Sequence, residues 1–242
     1  RSEVAIYSYA KNAGEIYNDY YNSTYRALIY QDAVLYLHFD KENQLLDASG
    51  QGNDGTMLDL ANNATNVTGM IGEALSFDGV DDYIIVADDS SLDLTTEFSL
   101  AAWAKVDVLP VGDDDILNKQ NIYSLKVKKI DDGIRPRVYF SDLSPQELVS
   151  PENITPGSWF HFVATWDDTT RKIYVNGVNT VSDTPSGSVS TNSDNLAIGA
   201  RDNSGSINEF FNGTLDEVAI YNRSLSAEEI KQLYQRTWYD HS

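Results

Sequence analysis

Phe211-Asn-Gly-Thr-Leu-Asp216-Glu-Val-Ala-Ile-Tyr-Asn-Arg-Ser-Leu-Ser226-Ala-Glu-Glu-Ile-Lys-Gln-Leu-Tyr234 is a strand signal running straight into a well-marked helix. Leu215, Val218, Ile220 and Tyr221 are strand formers, and plain alternation sets Asp216 and Glu217 on opposite faces. Ser226 stands where it can cap the first helical turn, and Glu229, three residues on, completes a capping box. Leu225 and Ile230 occupy the two positions of a hydrophobic staple.

Strand grammar recurs upstream. Val34–Phe39, Leu75–Phe77, Tyr83–Val86, Phe98–Val106, Trp159–Trp166, Lys172–Val175 and the run from Asn195 read as strands between Gly- and Asp-rich turns. In Phe98–Val106 the apolar residues share one face and Trp103 lies on the other, as a two-sheet sandwich requires. Asn176-Gly177 between Val175 and Val178 signals a tight type I′ hairpin. Residues 1–30 differ. Ile6, Tyr9, Ala13, Ile16 and Tyr20 form one helical stripe in heptad register, so 1–30 is expected to be a helical segment, a stalk or linker open to self-association, before a domain at 31–242. Beginning at Arg1, the chain reads as a processed protein or a fragment.

A net charge of −20, from 37 acidic and 17 basic residues, excludes nucleic-acid binding by phosphate neutralisation. No apolar run is long enough to span a membrane. Without cysteine there is neither a disulfide framework nor a thiolate nucleophile. Sequons at Asn22, Asn63, Asn66, Asn153, Asn212 and Asn222 mark candidate glycosylation sites and suit an extracellular or cell-surface protein. Asp doublets invite calcium, a hard cation that takes carboxylate and carbonyl oxygens.

Four segments in order resemble the laminin-G-like jelly roll of the concanavalin A-like lectin and glucanase superfamily. They are Phe39-Asp40 with Asp47-Ala-Ser-Gly-Gln-Gly-Asn53, Leu75-Ser-Phe-Asp-Gly-Val-Asp-Asp-Tyr83, Trp159 through Tyr174-Val-Asn-Gly177, and Leu215-Asp216-Glu-Val. The resemblance implies an all-β, two-sheet antiparallel jelly-roll sandwich with the N-terminal helix and a short C-terminal helix added. It also implies a structural calcium held by Asp40, Asp47, Asn53 and Asp216. By position it suggests ligand loops at Gln120-Asn121 and Arg201-Asp202-Asn203, with Tyr123 as an aromatic platform near Asp113-Asp114-Asp115.

The expected function is non-catalytic recognition of a glycan or surface glycoprotein. The alternative is a structural spacer or tip domain without a soluble ligand, and a glycoside hydrolase ranks third. Retaining glycosidases need two carboxylates across one cleft, and the nearest spaced acidic pairs, Asp40-x-Glu42 and Asp113-x-Asp115, fall in expected turns.

Overall fold

The computed structural model describes residues 29–40, 44–58, 64–110, 112–120 and 122–236. The expected N-terminal helix therefore lies outside the described residues, as do Asn22, Glu42, Asn63 and Asn121. The chain divides into Arg1–Gln31 and Asp32–Ser242, and the second unit carries every described strand.

Its strands begin with β1 (Ala33–Leu37), β2 (Gly55–Leu58), β3 (Thr65–Thr68), β4 (Glu73–Asp78), β5 (Tyr83–Val86) and β6 (Glu97–Val106). Next come β7 (Asp113–Lys119), β8 (Tyr123–Ile130), β9 (Gly133–Phe140), β10 (Leu143–Ser144), β11 (Glu147–Val149) and β12 (Trp159–Asp167). The last are β13 (Arg171–Val175), β14 (Val178–Asp183), β15 (Ser186–Gly187), β16 (Leu196–Ile198), β17 (Arg201–Asn203), β18 (Ser206–Asn208) and β19 (Asn212–Tyr221). Helix α1 (Ala227–Gln235) follows.

One sheet runs β14-β13-β12-β6-β19-β4-β3, with β1 joining β19 as its eighth strand. The other runs β11-β9-β8-β7-β16-β5-β2. Both are antiparallel throughout. The chain is thus all-β with one short C-terminal helix. Period-two alternation builds the core between the sheets. Phe98, Leu100, Ala102 and Ala104 of β6 face Tyr123, Leu125 and Val127 of β8 and Val138 and Phe140 of β9. Phe98 ties the layers together, its ring 5.5 Å from Tyr123 and 5.0 Å from Phe140. Each large side chain so buried stabilises by roughly 1.5–3 kcal/mol.

The Asn176-Gly177 turn joins β13 to β14 with φ of 52° and 77°, the left-handed pair that a type I′ turn needs. Ser226 and Glu229 form the reciprocal capping box. Two expectations are corrected. Asp113–Asp115 is not a turn but the start of β7. A bulge in β19 between Asp216 and Ala219, with Glu217 at φ 50°, breaks the alternation and leaves both acids off the core face.

Candidate functional site

The outer faces of the two sheets are closed in different ways. On the eight-stranded sheet α1 lies over the face. Tyr234 stacks on Trp103 at 5.6 Å and on His161 at 6.3 Å, and burial pushes His161 down to about 3, keeping it neutral. Glu217 reaches into the pocket beneath, lined also by Tyr36, Trp103, His161, Leu233 and Arg236. It accepts from the Tyr36 hydroxyl at 2.5 Å and Arg236 Nη1 at 2.6 Å, and pairs with His38 Nδ1 at 2.7 Å. Burial alone would raise Glu217; these partners outweigh it and hold its carboxyl below the usual range. The cluster ties the end of the helix to the sheet.

The four residues expected to hold calcium split into two groups. Asp47 is occupied by its own turn. Its oxygens accept from the Tyr36, Ser49 and Asn53 amides and the Ser49 hydroxyl at 2.6–3.0 Å. Asn53 turns its amide to Val34 O and Ser91 Oγ. Those two residues do not fit a metal shell.

Asp40 and Asp216 converge instead on the turn at residues 69–73. Asp40 Oδ1 accepts from Glu73 N at 2.9 Å, and Asp216 Oδ2 from Met70 N and Ile71 N at 2.8 and 2.9 Å. The fit is close: a Cβ on Gly69 would lie 2.6 Å from Asp216 Oδ2, and one on Gly72 2.3 Å from Asp40 Oδ1. Asp216 Oδ1 is buried with no partner. Burial, then the Glu217 charge, pushes the Asp216 carboxyl up to about 8. Asp216 Oδ1, buried and without a hydrogen-bond partner among the described residues, is an oxygen of the kind a hard cation takes. Asp78, Asp81 and Asp82 also cluster, but Asp78 Oδ1 and Asp82 Oδ2 serve the amides of their own turn.

On the seven-stranded sheet the outer face is polar. Alternation with Leu125, Val127 and Val138 in the core turns Ser124, Lys126 and Lys128 of β8, and Arg137 and Tyr139 of β9, the other way. Beside them β7 places Asp113 opposite Lys128, Asp115 opposite Lys126 and Asn118 opposite Ser124. Lys126 Nζ lies 3.4 Å from Asp115, 3.5 Å from Glu209 and 3.8 Å from Asp113. Arg137 pairs with Asp113 at 2.5 Å and with Glu147. Arg201 pairs with Glu209 at 3.0 Å.

Asp115 and Glu209 meet at Lys126, 3.4 and 3.5 Å from its Nζ. Burial raises Asp115 well above the carboxylate range, against the pull of the Lys126 charge. Burial would raise Glu209 too, but neighbouring Asp115 and the Lys126 and Arg201 charges hold it low. Five buried polar atoms on this face have no hydrogen-bond partner among the described residues: Asp113 Oδ1, Asp115 Oδ2, Asn118 Oδ1, Ser124 Oγ and Arg137 Nε, of which Asp115 Oδ2 has the Lys126 ion pair alone. The β17–β18 hairpin sits beside them, fixed by Gln120, whose Nε2 donates to Ser204 Oγ at 2.7 Å and whose Oε1 accepts from Ser204 N at 2.8 Å. The half-buried rings of Tyr83 and Phe210 lie 6.2 Å apart, Phe210 two residues beyond the hairpin.

The structure thus joins Gln120 to the loop containing Arg201, Asp202 and Asn203. Asp202 accepts from Gly205 N and shapes the hairpin tip, and Asn203 is exposed. Tyr123 is corrected: it lies in the core, donating to Leu92 O at 3.0 Å, and offers no platform. Lys126, Arg137 and Glu209 were missed. The alternation Ser124-Lys126-Lys128 against Leu125-Val127 was a legible signal for Lys126, as Ile134-Arg135 and Arg137-Val138 were for Arg137; nothing local singles out Glu209. Of the sequons, Asn153 and Asn222 are exposed, while Asn66 and Asn212 donate their amides to Phe39 O and Asp78 O.

A family model of the laminin G type, described as the concanavalin A-like lectin/glucanases superfamily, matches residues 78–231. No curated protein matches the chain. Among solved structures, domain 4 of AbnA, a GH43 extracellular arabinanase from Geobacillus stearothermophilus, in complex with arabinotriose, is similar at 23% identity and a TM-score of 0.67. The match covers 84% of this chain and 98% of that one. The binding domain of Paraclostridial Mosquitocidal Protein 1 is similar at 17% identity and TM-score 0.68, over 87% of this chain and 53% of that one. The botulinum neurotoxin serotype D ligand binding domain, in complex with N-acetylneuraminic acid, matches at 21% and 0.63, over 88% and 52%. The chain spans about half the length of these last two structures. At such identities the likeness is one of fold.

Proposed function

The chain belongs to the concanavalin A-like lectin/glucanases superfamily, and from that premise we propose that it is an extracellular, non-catalytic module whose seven-stranded sheet binds saccharide on its outer face. The observation that carries the reading is the set of five unpartnered polar atoms gathered there from three adjacent strands. A buried polar group left unpaired costs about 1–3 kcal/mol, so five on one face are a standing demand for an external partner. Half-buried aromatic rings at Tyr83 and Phe210 supply the apolar surface a sugar ring packs against.

The carboxyl pair supports binding rather than turnover. Glycosidases hold their two carboxyl groups about 5 Å or more apart, with the scissile bond or a water between them. Asp115 and Glu209 are both tied to Lys126, at 3.4 and 3.5 Å, which places a cation rather than a scissile bond between them. A calcium ion fits Asp40 and Asp216, where it would neutralise the two carboxylates and pin the 69–73 turn to β19.

The test is a glycan array probed with the purified chain, once in millimolar calcium and once in chelator. Binding to a defined sugar family, lost on Asn118→Ala in protein that thermal unfolding shows to be folded, supports the reading. Silence from folded protein in both conditions overturns it in favour of a structural module.

A further inference from the structure

The unpartnered groups have a definite chemistry. Asp113 Oδ1 and Asn118 Oδ1 are acceptors, the Asp115 carboxyl and Ser124 Oγ can be either, and only Arg137 Nε is solely a donor. The cations beside Asp115, Asn118 and Ser124 are already engaged, and Arg135, opposite Lys128, bonds Pro151 O. Lys126 faces three carboxylates, Arg137 two, and Lys128 and Arg201 one each. At the floor residues an anionic ligand would meet spare acceptors and cations that already face carboxylates. Hydroxyl groups, which donate without bringing charge, match the demand.

The floor is also covered. Asp115 and Ser124 are completely buried, Asn118 is 3% and Arg137 5% exposed. Of the neighbouring Arg201–Asn208 hairpin no side chain joins the apolar core; its one apolar residue, Ile207, stays outside it. What holds the hairpin is polar: the two Gln120–Ser204 bonds and, at its base, the Glu209 contacts to Lys126 and Arg201. Such contacts contribute about 1 kcal/mol each, so a segment held by them opens far more readily than the sheets unfold.

Resting on the saccharide reading above, we infer that the ligand is an uncharged, hydroxyl-rich saccharide that binds beneath the Arg201–Asn208 hairpin, on the floor formed by Asp115, Asn118, Ser124 and Arg137. The hairpin lifts to admit it, and hydroxyl donors then satisfy the acceptors of β7 and β8.

The chain has no cysteine, so a Gln120→Cys/Ser204→Cys variant carries its only thiols. A short bis-maleimide closes the hairpin onto the sheet; the unlinked variant leaves it free. Both forms and the wild type are run on an array of neutral, uronate-bearing, sialylated and sulfated glycans, after thermal unfolding has shown each to be folded. Amide exchange at Ser204 and Gly205 is followed in the wild type without ligand. The expected result is binding to neutral glycans, weakened on linkage by roughly tenfold or more, with those amides exchanging well before the sheets. Binding to charged glycans alone, undiminished binding after linkage, or hairpin amides that exchange only on global unfolding each overturns the inference while leaving the saccharide reading intact. Silence of the wild type overturns both.

Discussion

Asp216→Asn separates what the buried carboxylate does with calcium from what it does without. In metal-free protein its folded carboxyl titrates at about 8 against an ordinary 3.8. The folded state therefore binds the proton more tightly than the unfolded chain. Stability is full below about pH 4 and falls as pH climbs towards 8, where the bare charge must be buried. At 1.36 kcal/mol per pH unit the ceiling is about 6 kcal/mol. Relaxation of the 69–73 turn and water entry bring the expected loss nearer 3 kcal/mol, or roughly 6–12 °C in Tm for a domain of this size.

Asparagine is never charged and can still accept from the Met70 and Ile71 amides. In chelator, the variant should lie within about 1 kcal/mol of the wild type at pH 5 and unfold several degrees above it at pH 9. Calcium nearly closes the gap at pH 9 and lifts the wild type above the variant at pH 5. At a hundred times its dissociation constant it stabilises the wild type by about 2.7 kcal/mol, and the variant scarcely at all. The assay is thermal unfolding by circular dichroism at pH 5, 7 and 9, with calcium and with chelator. A wild type whose Tm is flat from pH 5 to 9 in chelator, with a variant that is lower throughout and equally calcium-responsive, would refute the reasoning.

Lys126→Met removes the cation facing Asp115, Asp113 and Glu209 and should destabilise by about 3–5 kcal/mol, the penalty for leaving buried charge unpaired; urea unfolding measures it, and a loss under 1 kcal/mol contradicts the network. Arg171→Met strips a completely buried guanidinium of its bonds to Asp183, Gln146 O and Pro145 O, and a similar loss is expected by the same measurement. Glu217→Gln removes the charge of the carboxylate that Tyr36, His38 and Arg236 share. Amides of Ala227–Gln235 should then exchange at least tenfold faster while those of β8 are unchanged. Gly199→Ala asks for a Cβ 2.6 Å from the Phe77 ring at φ 79°, so a loss of about 1–3 kcal/mol is expected in thermal unfolding.

The fold was largely legible because its signals are local. Alternation marked the strands, Asn176-Gly177 the hairpin, and Ser226 with Glu229 the helix start. The site was legible only in pieces, because it is made by registers between strands distant in sequence. Tyr123 looked like a rim aromatic until its alternation with Leu125 and Val127 placed it in the core. Asp216 and Glu217 were assigned opposite faces by a rule that a bulge suspends, and no residue type announces that bulge: Glu217 sits at φ 50°, where glycine or asparagine would be the usual sign. Asp47 and Asn53 have the composition of a calcium turn, yet side-chain-to-backbone bonds within and around the turn satisfy that composition equally well.

The two outer faces show why recognition belongs to one of them. Above the eight-stranded sheet, α1 inserts Ile230 and Leu233 and stacks Tyr234 on Trp103, so removing the cover would expose apolar surface. On the seven-stranded sheet the adjoining hairpin is polar, its fastenings are hydrogen bonds and ion pairs, and the floor holds groups still unpaired. Water or sugar hydroxyls can replace such fastenings, whereas neither replaces a buried aromatic stack. A chain carrying −20 overall nonetheless sets Lys126, Lys128, Arg137 and Arg201 around Asp113, Glu147 and Glu209, so its large negative charge is locally offset here. That surface suits a ligand recognised by hydroxyl geometry more than by charge.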